Sequence, residues 1–217
     1  MRREIIHIRE GPGHGNSWLI PSLQGYVLID PAIHPDKVEQ SDEVTALVAT
    51  HGHYDHIGQA DTWRSKYPGL QLLIHAAEEK LILDSIQNAS MFFGTPKCIN
   101  RPDVLLEDQE EIDLGLNLFL RVFHTPGHTK GSCCFLYLEK RAEEQEEYLA
   151  LITGDTIFAA DIGRMDLAGG SEEEMRDSLR KIRKLRDDLP QNLPVLPGHG
   201  PAVILQDLKL NYWFMNH

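Results

Sequence analysis

Short apolar runs punctuate the chain, and most of them stop at a glycine or proline. Residues 44–50, Val-Thr-Ala-Leu-Val-Ala-Thr, form one such run and predict a buried strand. Residues 25–31 read as a strand ending in a turn, and residues 71–75 as a short strand. Residues 116–123 alternate like a half-buried strand, and residues 132–138 and 148–153 read as two more. Between these lie helical spacings. Residues 57–64 carry one that stops at Tyr67-Pro68-Gly69, and residues 76–84 carry another. Ser171-Glu172-Glu173-Glu174 is a capping-box start, followed by a helical pattern over residues 175–189 that ends at Pro190. Strands alternating with helices, with hairpins among them, predict a mixed α/β (α+β) sandwich and not a purely parallel sheet.

Composition adds bounds. A length of 217 residues suits one domain over residues 1–217 and can bury a sizeable core. The balance of 21 Lys+Arg against 33 Asp+Glu, net −12, argues against nucleic-acid binding or attachment to an anionic membrane. The basic positions of the last helix, such as Arg176, Arg180 and Lys184, then read as a solvated face. No apolar segment of export-signal type follows Met1-Arg2-Arg3-Glu4, and no run approaches the ~20 apolar residues that cross a bilayer. Three cysteines, an odd number, fit a reducing compartment, so a cytoplasmic location is expected. Cys133 and Cys134 are adjacent in a predicted strand and point to opposite faces as small buried hydrophobes. The acidic run at residues 139–147 reads as a solvated hairpin loop between two strands.

The densest chemistry is His51-Gly52-His53-Tyr54-Asp55-His56, three imidazoles and a carboxylate between a strand and a helical segment. The carboxyl ends of strands are where α/β sheets build sites. Imidazoles at i and i+2 of an extended segment share a direction and can share a metal ion, while Asp55 and His56 reach a second point nearby. The same arrangement recurs. Residues 118–123 lead into His124-Thr125-Pro126-Gly127-His128, residues 148–153 into Gly154-Asp155, and residues 194–196 into Pro197-Gly198-His199. Four apolar runs thus each deliver metal-type ligands, with glycine beside them where backbone must pack close.

This set, His-x-His-x-Asp-His with His128, Asp155 and His199, resembles the metallo-β-lactamase superfamily, over nearly the whole chain. Residues 125–129 (Thr-Pro-Gly-His-Thr), 153–158 (Thr-Gly-Asp-Thr-Ile-Phe) and 162–170 are most similar to its glyoxalase II-like branch. The resemblance implies a four-layer αβ/βα sandwich of two mixed sheets. It implies two divalent metal ions, Zn²⁺ first with Fe or Mn also suited. His51, His53 and His128 would hold one; Asp55, His56 and His199 would hold the other; Asp155 would bridge them. It implies hydrolysis of acyl-glutathione or a related thioester by a metal-bound hydroxide, with Asp55 orienting the nucleophile and accepting its proton. The chain departs from that branch in two places. Only 18 residues follow His199, where those enzymes carry a helical glutathione-binding region, and Arg164 and Asp166 replace a substrate-contacting Lys and Tyr.

The Gly163-Arg164-x-Asp166 segment also resembles the persulfide dioxygenases. There His51, His128 and Asp155 would hold a single Fe(II), and Arg164 would grip a substrate carboxylate. Alternatively Arg164 and Asp166 pair with each other and brace the loop. Lactonase or nuclease activity and a non-catalytic metal-binding scaffold are further readings. Among the remaining histidines, His124 reads as packing or support and His75 as a hydrogen-bonded core residue. His7, His14, His34 and His217 lack a constellation, although the turn around His14 could border the site. Tyr212-Trp213-Phe214-Met215 would pack on the core or on a second subunit.

Overall fold

Alternation along the strands sorts the apolar side chains into three separate cores. In the computed structural model, which describes residues 3–9, 14–94, 96–142 and 145–209, twelve strands form two six-stranded sheets. The first sheet holds, in spatial order, β1 (Ile6–Ile8), β2 (Ser17–Pro21), β3 (Tyr26–Ile29), β4 (Val44–Val48), β5 (Leu72–His75) and β6 (Val104–Leu106). The second holds β7 (Glu111–Gly115), β8 (Leu118–His124), β9 (Cys133–Lys140), β10 (Glu146–Gly154), β11 (Pro194–Pro197) and β12 (Val203–Ile204). Both are mixed: β3 to β6 pair in parallel, as do β10 and β11, and the other pairings are antiparallel.

Successive residues of a strand face opposite ways. On β3, Val27 and Ile29 join the core between the sheets, while Tyr26 and Leu28 face outward. On β9, Cys133, Phe135 and Tyr137 face inward, and Cys134, Leu136 and Leu138 face the opposite side. The two cysteines therefore occupy opposite faces, both buried, and burial raises both thiol pKa values, Cys134 to about 11. The outer face of the first sheet is covered by α1 (Tyr54–Ile57), α2 (Ala60–Lys66) and α3 (Glu79–Ile82), through Ile57, Trp63, Leu81 and Ile82. The outer face of the second is covered by α4 (Glu172–Asp188), which buries Met175, Ser178, Leu179 and Ile182 at helical spacing. Ser171 caps α4 by accepting from the Glu174 amide. The result is a four-layer αβ/βα sandwich. No described helix is long and apolar enough to cross a membrane.

Three expectations are corrected. The helix expected over residues 57–64 is two helices, α1 and α2, because the Gln59 amide turns away to donate to the Pro31 carbonyl (3.0 Å). The strand expected from residue 116 starts at Leu118: Leu116 and Asn117 both have positive φ (55° and 60°) and form the two-residue turn of the β7–β8 hairpin. The acidic hairpin loop is shorter than expected, since β9 extends to Lys140 and β10 begins at Glu146, so four of the nine residues 139–147 are strand. Paired charges permit this: Arg121 bonds both Glu111 and Glu146, and Arg141 bonds Glu147. Residues 143 and 144 of that run lie outside the described residues, as do 11–13, His217 and the segment 212–215.

Candidate metal centre

β8, β10 and β11 run in one direction, so the segments that follow them emerge at one rim of the second sheet. The segment after β4 reaches the same rim from the first sheet. His51 and His53 precede α1, and Asp55 and His56 lie within it. The structure thereby brings all seven expected donors together. His51, His53 and His128 group with ligand atoms within 4.8 Å of one another; so do Asp55, His56 and His199, and so do His51, His56 and Asp155. Asp155 sits between the two outer trios. Its Oδ2 lies 3.5 Å from Nε2 of His128 and 3.5 Å from Nε2 of His199, and its Oδ1 lies 3.3 Å from Nε2 of His56.

His51, His56 and His128 are set with Nε2 inward, whereas His53 turns its Nδ1 to the cluster, 2.8 Å from Nε2 of His128. Nδ1 of His128 donates to the Arg164 carbonyl (2.7 Å), and Nδ1 of His56 donates to Oδ2 of Asp30 (2.9 Å). Thr50 donates its hydroxyl to Asp30 Oδ2 (2.8 Å), which leaves its oxygen to accept from His51 Nδ1 (3.0 Å). Tying Nδ1 in this way fixes the tautomer and frees the Nε2 lone pair. Three buried atoms have no hydrogen-bond partner: Nε2 of His51, Nε2 of His53 and Oδ1 of Asp155. Buried polar atoms without a partner, such as Nε2 of His51 and Oδ1 of Asp155 in this cluster, are costly unless something binds them, and the N/O donor set suits a divalent cation. The residues present therefore fit a metal.

The electrostatics agree. Burial, reinforced by neighbouring imidazoles, lowers the pKa of His51 and takes that of His53 down to about 3. Burial also lowers that of His128 against the pull of Asp155. All three are thus neutral, the ligating form. His56 is the exception. Burial opposes its charge, but Asp155, Asp55 and Asp30 outweigh burial and push it up to about 10. Asp55 is held well below the usual carboxylate range, because His56 and His199 overcome the burial that opposes ionisation.

Three residues that brace the site were not singled out for it in the sequence. Asp30, at the end of β3 with φ +53°, accepts from the Thr50 amide (2.7 Å), the Thr50 hydroxyl and His56. Glu78 is fully buried and accepts from the Gly52 and Gly131 amides, both at 2.6 Å, which ties the His51–His53 turn to the loop after His128. Asn16 donates to the Pro197 and Gly200 carbonyls (2.9 Å each) and so holds the turn that carries His199. A signal existed for Asp30, a carboxylate ending a strand next to β4; Glu78 and Asn16 look in sequence like ordinary polar residues. Close approach explains two glycines. A Cβ on Gly198 would stand 2.2 Å from Asp155 Oδ1, and one on Gly163 would stand 1.9 Å from the Asp155 carbonyl oxygen.

Arg164 and Asp166 form a two-pronged pair, 2.6 Å at each contact, with both side chains mostly exposed. Arg164 also lines a cavity of about 580 Å³ that has His53, Asp55, His128, Asp155 and His199 in its wall. His124 lies outside the cluster. It stacks on His75 at 4.0 Å and bonds the Lys130 carbonyl, while His75 accepts from the Ala77 amide. His7 stacks on Trp18, His34 caps a short turn and His14 is exposed.

A family model described as the metallo-beta-lactamase superfamily matches residues 11–199, and the chain belongs to that superfamily. It is 32% identical over 197 residues to the probable metallo-hydrolase YqgX of Bacillus subtilis, covering 88% of this chain and 87% of that protein. It is 29% identical over 197 residues to the hydroxyacylglutathione hydrolase GloC of Haemophilus influenzae, covering 87% and 86%. Among solved structures, the BLEG-1 B3 metallo-beta-lactamase matches with a TM-score of 0.79 at 27% identity, covering 99% of this chain and all of that one.

Proposed function

We propose that this protein is a binuclear metallohydrolase that cleaves small-molecule thioesters. The observation that carries the reading is the pairing of two donor trios with Asp155 between them. His51, His53 and His128 would hold one cation, Asp55, His56 and His199 the second, and Asp155 would reach both. Zn²⁺ suits these ligands first, and Fe or Mn also fits. Bound there, a cation pair supplies Lewis acidity and makes water a competent nucleophile near neutral pH.

The chain's own residues supply the rest. Asp55, ionised at neutral pH and part of the cavity wall, orients the nucleophile and accepts its proton. Asp30 and Thr50 keep His56 and His51 in the tautomers that present Nε2. The Arg164 carbonyl does the same for His128. Among the described residues that line the cavity, Arg164 is the one ionisable group outside the seven donors, and a guanidinium cannot give up its proton to a leaving group. A thiolate leaves without an acid's help, whereas an amine would need a proton returned from Asp55 or solvent, so a thioester makes the smaller demand on these residues. The likeness to the GloC hydrolase points the same way. The grouping of Asp55, His56 and His199 also weighs towards hydrolysis, because a single-iron dioxygenase centre on His51, His128 and Asp155 makes no use of them as ligands. The acidic net charge supports a small-molecule substrate over nucleic acid, and three cysteines without a disulfide among the described residues support a cytoplasmic setting.

The test uses protein purified without added metal and then loaded with Zn²⁺ or Fe(II). S-lactoylglutathione hydrolysis and oxygen uptake with glutathione persulfide are followed side by side. Thioester cleavage without oxygen uptake is expected. Oxygen uptake without thioester cleavage would overturn the hydrolase in favour of the dioxygenase.

A further inference from the structure

The wall of the cavity above the donor cluster is almost entirely apolar. Apart from five of the seven donors and Arg164, it is lined by Ala89, Phe92, Phe93, Phe158, Ile162 and Leu167. Among the described residues, no hydroxyl or carboxamide side chain lines it. Its one guanidinium, Arg164, already spends two N–H groups on Asp166.

The phenylalanines are held in place. Phe92 is 72% exposed and Phe93 45%, an arrangement that gains nothing from core burial. Yet the short turn that carries them, Ser90–Phe93, is anchored at its base. The buried Asn88 side chain donates to the Ile82 and Lys97 carbonyls, and the Ser90 hydroxyl has the Ser85 and Lys97 carbonyls within reach of its one proton and accepts from the Lys97 amide. The Asn88 carbonyl accepts from the Tyr54 amide at the start of α1, which fixes the turn to the helix that bears Asp55 and His56. Ala89 sits at φ +64°, a left-handed conformation unusual for a residue with a Cβ. On the opposite wall, Phe158 packs edge-on to His199 with ring centroids 5.9 Å apart. Gly163 presses on Asp155, and the Arg164 carbonyl bonds His128, so the strip carrying Ile162 is tied to the donors as well.

Building on the thioesterase reading, we infer that the cavity selects thioesters with a bulky apolar acyl group, aliphatic or aromatic, and disfavours glutathione conjugates. A glutathionyl group brings two carboxylates, an ammonium and two amides, and beyond the donors would meet on this wall, among the described residues, only the N–H groups that Arg164 does not spend on Asp166. An apolar acyl chain would remove Phe92, Phe93 and Leu167 from water. Each fully buried methylene is worth about fourfold in affinity.

The experiment compares acetyl and hexanoyl thioesters of N-acetylcysteamine, an uncharged thiol, with S-lactoylglutathione, on the metal-loaded full chain. A parallel calorimetric titration compares acetohydroxamate with hexanohydroxamate and needs no turnover. The inference expects kcat/KM at least tenfold higher for hexanoyl than acetyl, S-lactoylglutathione below hexanoyl, and hexanohydroxamate at least tenfold tighter than acetohydroxamate. Phe92→Ser, at a mostly exposed position, should reduce both ratios at least threefold. Ratios near one, ratios unmoved by Phe92→Ser, or preference for S-lactoylglutathione overturn the inference and leave the hydrolase standing. If no thioester is cleaved while hexanohydroxamate still binds tenfold tighter, the hydrolase reading fails and the apolar pocket stands.

Discussion

Two carboxylates near the site each accept two short hydrogen bonds, and they do different work. Glu78 takes the Gly52 and Gly131 amides at 2.6 Å with no exposed surface; Asp166 takes two N–H groups of Arg164 at 2.6 Å on a side chain that is mostly exposed. The distances match, and the surroundings do not. Water can replace Asp166 as a partner for Arg164, whereas nothing replaces Glu78 for two buried amides that sit beside metal-type ligands. Burial raises the pKa of Glu78 against those amide bonds, while Arg164 takes that of Asp166 down to about 2. The rigid part of the site is therefore its floor, braced by carboxylates remote in sequence, and its rim pair contributes little to stability.

The largest effect is expected from Glu78→Ala. Two buried N–H groups would lose their acceptor, at roughly 1–3 kcal/mol each. Urea denaturation should show the loss, and Zn²⁺ affinity should fall about tenfold to a hundredfold. Glu78→Gln, which keeps one acceptor oxygen, should fall between wild type and Ala; equal stability for all three would erase the distinction drawn above. Next comes Asp30→Asn, a change that tolerates the positive φ. Three donors meet the two oxygens of Asp30, and a carboxamide has one accepting oxygen. Zn²⁺ affinity should again fall about tenfold to a hundredfold, read by competition with a chelator, with a smaller change in stability.

A smaller effect concerns pH. Burial, then the charge of His124, lowers the pKa of His75 from 6.5 to about 4. Between those values the unfolded chain binds the proton and the folded chain does not, so stability falls as pH drops from about 6.5 to about 4. His75 is 6% exposed, and this contribution is on the order of 1 to 3 kcal/mol. His75→Asn retains a cap for Ala77 and should lessen the loss of stability between pH 7 and pH 4.5; an unchanged slope would contradict it. The smallest effect is expected from Asp166→Asn, which should leave the urea midpoint where it is. A large drop would make the rim a structural brace equal to Glu78.

How much could be read in the sequence follows the same division. The ligands announce themselves because imidazoles and carboxylates beside glycines at strand ends have few other uses, so His51 to His56, His128, Asp155 and His199 could be collected before any geometry. The four layers were implied by the resemblance, and the alternation along Ser17–Pro21 and Cys133–Lys140 shows why they form. The braces could not be read. Glu78 lies 26 residues from Gly52 and 53 from Gly131, and nothing local distinguishes it from a surface glutamate on a short helix. The turn at Leu116–Asn117 was hidden for a related reason: an exposed leucine in a left-handed turn breaks the usual association of turns with polar residues.

The central claim is that these seven side chains hold two cations. Calorimetric titration of metal-free protein with Zn²⁺ tests it directly, with Asp155→Ala as the comparison. The account predicts two equivalents bound by the wild type, with both weakened in the variant. Binding of one equivalent or none by the wild type, or two undisturbed equivalents in Asp155→Ala, would contradict it.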